Sequence, residues 1–133
     1  MKQAILCVDD EAIIVLSLKQ ELKTSFGDRF LIESALSAEE ALESLDGLVA
    51  EGVKVIMIIS DWLMPGIHGD EFLEIVNKKY PDVHAIMITG HADDAAIERT
   101  KKNASVIAIL SKPWKAAELR QIIQNFCVDV FPK

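Results

Sequence analysis

Five short apolar runs alternate with five segments of helical periodicity along this chain, and that alternation leaves few folds open. The runs are 4–8 (AILCV), 29–36 (RFLIESAL), 53–60 (VKVIMIIS), 84–89 (HAIMIT) and 105–110 (SVIAIL). Each is short, rich in branched residues and bounded by polar or turn-forming ones, as buried strands are. The run 53–60 is the most apolar and is expected at the sheet centre, whereas 29–36 is more polar and is expected nearer an edge.

Between the runs the period changes. Residues 11–26 place Ile13, Leu16 and Leu22 near helical spacing, and Gly27 closes the segment. Ser37 with Glu40 three residues on forms a capping box ahead of Ala41, Leu42 and Leu45. Gly69 or Asp70 is expected to cap a third helix carrying Phe72, Ile75 and Val76, which ends before Pro81. Residues 93–103 read as a short fourth helix, and the last sets Leu119, Ile122, Ile123 and Phe126 on one face. Strands alternating with helices imply crossovers and a parallel sheet covered on both faces. The expectation is therefore a single doubly wound α/β domain, (βα)5, over residues 1–133, with no second or output domain in the chain.

Composition narrows the function. Half of the 133 residues are hydrophobic, so the chain can bury a core. The net charge of −7, with no Lys/Arg-rich block, argues against direct binding of nucleic acid or an anionic membrane. Cys7 and Cys127 lie in apolar segments and read as buried thiols rather than a disulfide. The N-terminal apolar run is too short for a signal peptide and ends in two acids, and no run reaches the length of a membrane span. A cytoplasmic protein is expected.

The polar residues that interrupt the strands carry the chemistry. Asp9, Asp10 and Glu11 follow the first run, Asp61 ends the third, Thr89 the fourth, and Ser111 and Lys112 the fifth. In an open parallel α/β sheet the C-terminal ends of the strands open onto one edge, where ligands bind. Three carboxylates, a hydroxyl and an ammonium would thus meet in one crevice. Two carboxylates 4 Å apart repel by roughly 4 kcal/mol at an effective dielectric near 20, so the cluster calls for a cation, a proton or a lysine. Oxygen donors with waters suit octahedral Mg²⁺ better than Ca²⁺, and no Cys/His spacing suggests zinc. A metal, a carboxylate, a lysine and a hydroxyl together are equipment for phosphoryl transfer, with the acid as nucleophile. Taken singly, each residue has a plainer reading: Asp9 and Asp10 as caps of the first helix, Thr89 as a strand-end hydrogen-bonder, Lys112 as a surface lysine.

The acidic pair 9–10 (DD), the segment 61–66 (DWLMPG), the pair 89–90 (TG) and the pair 112–113 (KP) occur in order, each at the end of the right strand. Together they resemble the response-regulator receiver domains of two-component signalling, over essentially the whole chain. The resemblance implies a five-stranded sheet in flavodoxin-like order 2-1-3-4-5. It makes Asp61 the acceptor of a phosphoryl group from a sensor histidine kinase or a histidine phosphotransfer protein. Asp10, Asp61 and the backbone carbonyl of Leu63 would ligate Mg²⁺, or Mn²⁺ in its place, with Asp9 acting through a water. Lys112 would pair with Asp61 at rest and with the phosphoryl group afterwards, Thr89 would hydrogen-bond a phosphoryl oxygen, and a cis peptide before Pro113 would aim Lys112. The module would catalyse only its own phosphorylation and dephosphorylation. Its downstream partner would be a protein or a fused output domain.

The chain departs from that family at several positions. Ile109 stands where receivers commonly carry an aromatic residue that swings inward, so switching of the face built by the fourth helix, fifth strand and fifth helix is expected to be weaker or different. Leu63 and His91 occupy positions that tune phosphoryl lifetime. Leu63 cannot hydrogen-bond an attacking water, and His91 is placed to approach the phosphoryl group, so slow self-dephosphorylation is expected. Lys115 lies near the N-cap of the last helix, where a cation faces the positive end of the dipole. Trp114 reads as a packing or partner residue, Trp62 as a shield of the acceptor loop or a partner contact, and His68 and His84 as exposed. Met57, Met64 and Met87 read as core fillers. The segment 45–54 is longer than is typical of receivers.

Three other functions compete. A haloacid-dehalogenase-type phosphatase would need a second acid two residues past the nucleophile, where Leu63 stands. A flavodoxin-like nucleotide binder would need a Gly-rich loop after the first strand, where Asp9 and Asp10 stand. A receiver-like interaction module independent of phosphorylation would have no need of Asp10, Asp61, Thr89 and Lys112 together.

Overall fold

The structure, a computed structural model, describes residues 2–90, 94–103 and 105–127. In chain order it runs β1 Gln3–Val8, α1 Ala12–Phe26, β2 Leu31–Ala35, α2 Ala38–Ala50, β3 Lys54–Asp61, β4 Leu63–Met64, β5 Ile67–His68, α3 Gly69–Lys79, β6 His84–Thr89, α4 Asp94–Lys101, β7 Val106–Ser111 and α5 Ala116–Phe126. One parallel sheet has the order β2-β1-β3-β6-β7. With the two-residue β4–β5 hairpin set aside, this is the 2-1-3-4-5 order expected. β3 is central and buried from Val55 to Asp61, while β2 and β7 form the edges.

The strands are apolar on both faces because both faces are covered. Successive side chains alternate: Ile5 and Cys7 of β1 join one core with Leu18, Leu22 and Phe26 of α1 and Leu119 and Ile123 of α5. Ala4, Leu6 and Val8 join the other, with Ala41, Leu45 and Leu48 of α2 and Phe72 and Val76 of α3. In β3 the register skips Ile56, so Ala4 pairs with Val55 but Ile5 with Met57. That bulge sets the parity of the rest of the strand: Met57 and Ile59 face α1 and α5, and Ile58 faces α2 and α3. Asp61 has the parity of Met57 and Ile59; a one-residue slip would turn it to the other face.

Helix faces depart from the expectation in detail. The inward stripe of α1 is Val15, Leu18, Leu22 and Phe26, whereas Ile13 and Leu16 are 70% and 64% exposed. The helix carries more apolar residues than one stripe can bury, and spacing alone does not say which stripe faces the sheet. In α3 Phe72, Leu73 and Val76 go inside and Ile75 stays out. The residue preceding α3 is His68, not Gly69 or Asp70, and its side chain makes no capping bond. In α2 the expected cap is present, with the Glu40 N–H donating to Ser37 Oγ at 3.1 Å. The long 45–54 segment is mostly helix: α2 continues to Ala50 and stops at Gly52, whose φ of 81° a side chain would resist. Around Pro65 and Gly66 the chain makes the unforeseen β4–β5 hairpin.

Cys7 and Cys127 are both buried and free, and burial pushes the Cys7 thiol up to about 12, where it is inert. Met57, Met64 and Met87 are buried as expected. His84 is half-buried, its ring 4.9 Å from that of Phe126, so it is not an exposed strand start. Among the described residues no helix is long and apolar enough to cross a membrane.

Candidate functional site

Parity and strand order bring the chemistry together. Asp9 follows β1 with the parity of Ile5 and Cys7, Asp61 ends β3 with that of Ile59, and Lys112 follows β7 with that of Leu110. All three therefore emerge on the face of the sheet covered by α1 and α5. Thr89, the last residue of β6, has the other parity and is 8% exposed.

Asp9 is 1% exposed and held from two sides. Its backbone N–H donates to the Ala35 carbonyl at 3.2 Å, and its Oδ1 accepts from the Glu11 N–H at 2.9 Å. Contrary to the plain reading, neither Asp9 nor Asp10 caps α1: Glu11 stands at the N-cap and no side chain makes a capping bond there, while one oxygen of Asp9 turns the chain toward the helix and Oδ2 faces the crevice. Asp10 is exposed beside it. Asp61 is 7% exposed; the Leu63 N–H donates to its Oδ1 at 3.4 Å, and the next backbone N–H, of Trp62, donates to the Ile88 carbonyl at 3.0 Å.

Lys112 joins the acids. Its Nζ donates to Asp9 Oδ2 at 2.9 Å and lies 3.5 Å from Asp61 Oδ2. The resting partner expected for this lysine was Asp61; the shorter contact is to Asp9, whose burial leaves its second oxygen no water to turn to. The Lys112–Pro113 peptide is cis, as expected, and the Lys112 N–H donates to the Thr89 carbonyl at 2.9 Å.

The electrostatics follow from burial and crowding. Loss of water and then the charge of Asp9 push the Asp61 carboxyl above its ordinary range, and Lys112 only partly opposes them. Burial works against the Lys112 charge as well, but its hydrogen bond to Asp9 and the charge of Asp61 outweigh it and hold the ammonium above the usual lysine range. One lysine faces three acids, so the site keeps an unbalanced negative charge. Carboxylate oxygens of Asp9, Asp10 and Asp61 lie within 4.8 Å of one another. That all-oxygen set, with two of its acids buried, fits a hard divalent cation such as Mg²⁺. Asp10 and Asp61 open into a cavity of about 900 Å³, lined also by Leu63 and Lys112, which extends past Ile14 to Trp114.

The remaining expected site residues separate. Leu63 is 52% exposed at the rim of the cavity. Ile109 is half-buried and packs against the cluster of Trp62, Leu73, Ala85 and Met87. His91 lies outside the described residues. Trp62 is 8% exposed and its ring lies 4.4 Å from that of His68, so it packs beneath the loop, as the shielding reading expects. His68 is half-buried as a residue, but its side chain keeps 45% of its surface exposed.

Two features escaped the sequence reading. A Cβ on Gly69 would lie 2.2 Å from Met87 Cε, 2.9 Å from Trp62 Cα and 3.0 Å from the Asp61 carbonyl oxygen. Only glycine lets α3 begin against the end of β3, and the second glycine of 66–69 (GIHG) was the available signal. The other is a hydrogen bond of 2.7 Å from Trp114 Nε1 to Glu21 Oε2, which nothing local in the sequence announces.

Comparison with known proteins agrees with this geometry. The family model described as the response regulator receiver domain matches residues 5–124. The hydrogenase transcriptional regulatory protein HoxA of Cupriavidus necator is 32% identical over 85% of this chain, which spans only 22% of that protein. A chemotaxis protein CheY homolog of Campylobacter jejuni is 30% identical, with 91% of this chain and 89% of the relative covered. The crystal structure of a CheY-like response regulator receiver domain protein from Methanospirillum hungatei superposes with a TM-score of 0.80 at 29% identity, covering 97% of this chain and 95% of that one.

Proposed function

This chain belongs to the response regulator receiver domain family, and on that premise we propose that it is a phosphorylatable switch whose acceptor is Asp61. The observation that carries the reading is the position of Lys112 Nζ, between oxygens of Asp9 and Asp61 at the mouth of an open cavity. That is where the negative oxygens of a transferring phosphoryl group need a positive partner.

The donor is a phosphohistidine on a sensor histidine kinase or a phosphotransfer protein. A carboxylate oxygen of Asp61 attacks phosphorus, a P–O bond forms, and the P–N bond to the imidazole breaks. The electron pair of that bond leaves on the imidazole nitrogen. Asp61 must be ionised to attack, and its raised pKa makes the ionised form a stronger base and nucleophile. Lys112 exchanges a carboxylate oxygen for a phosphoryl oxygen. Thr89, on the adjacent strand, supplies a hydroxyl to another. Asp10, Asp61 and the Leu63 carbonyl, with Asp9 acting through a water, would hold Mg²⁺ or Mn²⁺, which would supply further positive charge to the site.

The reaction is the protein's own modification, not turnover of a substrate. Leu63 offers no general acid where a phosphatase of the haloacid-dehalogenase type would need one, and its exposed side chain cannot orient an attacking water, which favours a long-lived phosphoryl group. Ile109 packs against the cluster of Trp62, Leu73, Ala85 and Met87, so the switch reads out through repacking of that cluster and not through an aromatic swing. Output passes to a protein or to a fused domain, as the HoxA match suggests. Direct contact with nucleic acid or a membrane is not part of the reading, given the net charge of −7, and the cytoplasm is its place of action.

The test is incubation with Mg²⁺ and a small acyl phosphate, followed by mass spectrometry, beside an Asp61→Asn variant. One added phosphoryl group on the wild type and none on the variant is expected. Equal labelling of both, or of neither, would replace this reading with a phosphorylation-independent interaction module.

A further inference from the structure

Beyond its last ladder bond, from the Lys112 N–H to the Thr89 carbonyl, the chain leaves the sheet edge and crosses to α5. The crossing segment is poorly held by local structure. β7 is an edge strand with a neighbour on one side only, and α5 begins after Lys115, which makes no side-chain capping bond. Yet this segment must hold the Lys112 ammonium at a point set by Asp9 and Asp61.

Trp114 supplies the missing support. It is half-buried, packs against the core on the α1–α5 face, and donates its indole N–H to Glu21 Oε2 at 2.7 Å. Ile14, Ser17 and Glu21 recur three and four residues apart, so they lie along one side of α1, where all three line the cavity with Trp114. The same helix is anchored at its start by Asp9, the residue Lys112 contacts. Helix α1 and the turn leading into it therefore hold the crossing segment at two points: at Asp9 through Lys112, and about two and a half turns from the helix start through Glu21 and Trp114. A charge-assisted bond to a half-buried indole constrains the ring in direction as well as in place.

We infer that the Glu21–Trp114 hydrogen bond is a positioning clamp that aims Lys112 at the phosphoryl site. Glu21 and Trp114 touch no reacting atom; they act through Lys112. The inference rests on Asp61 being the acceptor.

The test separates the two ideas by titrating first Mg²⁺ and then beryllofluoride, a phosphoryl mimic, into wild type, Trp114→Phe, Glu21→Ala, Glu21→Gln and the Trp114→Phe/Glu21→Ala double variant. Lys112 faces the mimic but is no metal ligand. Trp114→Phe and Glu21→Ala should each weaken beryllofluoride binding by about three- to tenfold and leave Mg²⁺ affinity within about twofold. The double variant should be no worse than either single one, and Glu21→Gln, which keeps an acceptor, should recover part of the loss. In a Lys112→Ala background the effect of Trp114→Phe should vanish. Variants that bind the mimic as wild type does, that lose Mg²⁺ and mimic alike, or that still differ without Lys112 would each overturn the clamp. A wild type that binds Mg²⁺ but no beryllofluoride would overturn the acceptor reading and the clamp together.

Discussion

Lys112 Nζ stands 2.9 Å from Asp9 Oδ2 and 3.5 Å from Asp61 Oδ2, so the lysine bridges the two buried acids and sits closer to Asp9. Asp9 keeps the cation in place while Asp61 is the less tightly bound of the two, as the proposed attack by Asp61 requires.

Lys112→Met should therefore destabilise the resting fold, by about 1–3 kcal/mol at neutral pH, because two buried carboxylates lose their shared counter-charge. The folded lysine pKa is raised, so its contribution is fully present below the unfolded lysine value and is lost as pH rises through the folded one. Urea unfolding of both proteins at neutral pH and at the alkaline end of the lysine range should show the gap narrowing at the alkaline end. A constant gap would mean the lysine acts by packing.

Asp61→Asn should do the reverse. Burial and Asp9 raise the folded Asp61 pKa, so this group favours the fold below its unfolded pKa, and that favour is lost as pH rises through the folded value. At neutral pH the ionised carboxylate is a net cost, and its removal should raise Tm by a few degrees, about 1–2 kcal/mol. Thermal scans should show the advantage of the variant shrinking as pH falls into the carboxylate range. Stabilisation independent of pH would contradict the sign.

Mg²⁺ should raise Tm of the wild type, by about 2.7 kcal/mol of stability at a hundredfold excess over Kd, and chelation should reverse it. Asp10→Asn should abolish most of the shift while leaving the metal-free Tm within about 0.5 kcal/mol of wild type, since Asp10 is exposed. An undiminished shift in the variant would remove Asp10 from the ligand set.

Gly69→Ala should cost about 1–3 kcal/mol. Met87 Cε is the end of a flexible chain and can retreat, but Trp62 Cα and the Asp61 carbonyl cannot, so adding Met87→Ala should not restore stability. Full rescue by the double variant would show that the backbone had room.

Leu63→Gln should shorten the lifetime of phosphorylated protein several-fold by giving a water a hydrogen-bond partner at the rim of the site. Loss of label after removal of donor is the measurement, and an unchanged decay would clear Leu63 of any part in lifetime.

The legible parts of the fold were those encoded in local periods. Apolar runs with β-branched residues gave five strands, and the acids, threonine and lysine at their ends marked one sheet edge. Helix faces were less legible: Ile13 and Leu16 have the same chemistry and spacing as the buried Val15 and Leu18, and only the position of the sheet separates them. The Ile56 bulge was silent as well, because an apolar residue inserted into an apolar run leaves no trace in the pattern.

Sequence alone thus determined the fold class and the placement of Asp9, Asp10, Asp61, Thr89 and Lys112 at one edge of the sheet, because strand and helix periods and strand-end polarity are properties of neighbours in the chain. Tertiary structure decided that Lys112 holds Asp9 more closely than Asp61, that Glu21 meets Trp114, and that Gly69 admits no side chain. Asp9 and Lys112 are 103 residues apart, and Glu21 and Trp114 are 93 apart. Such distances are set by strand order and register, which no local period records.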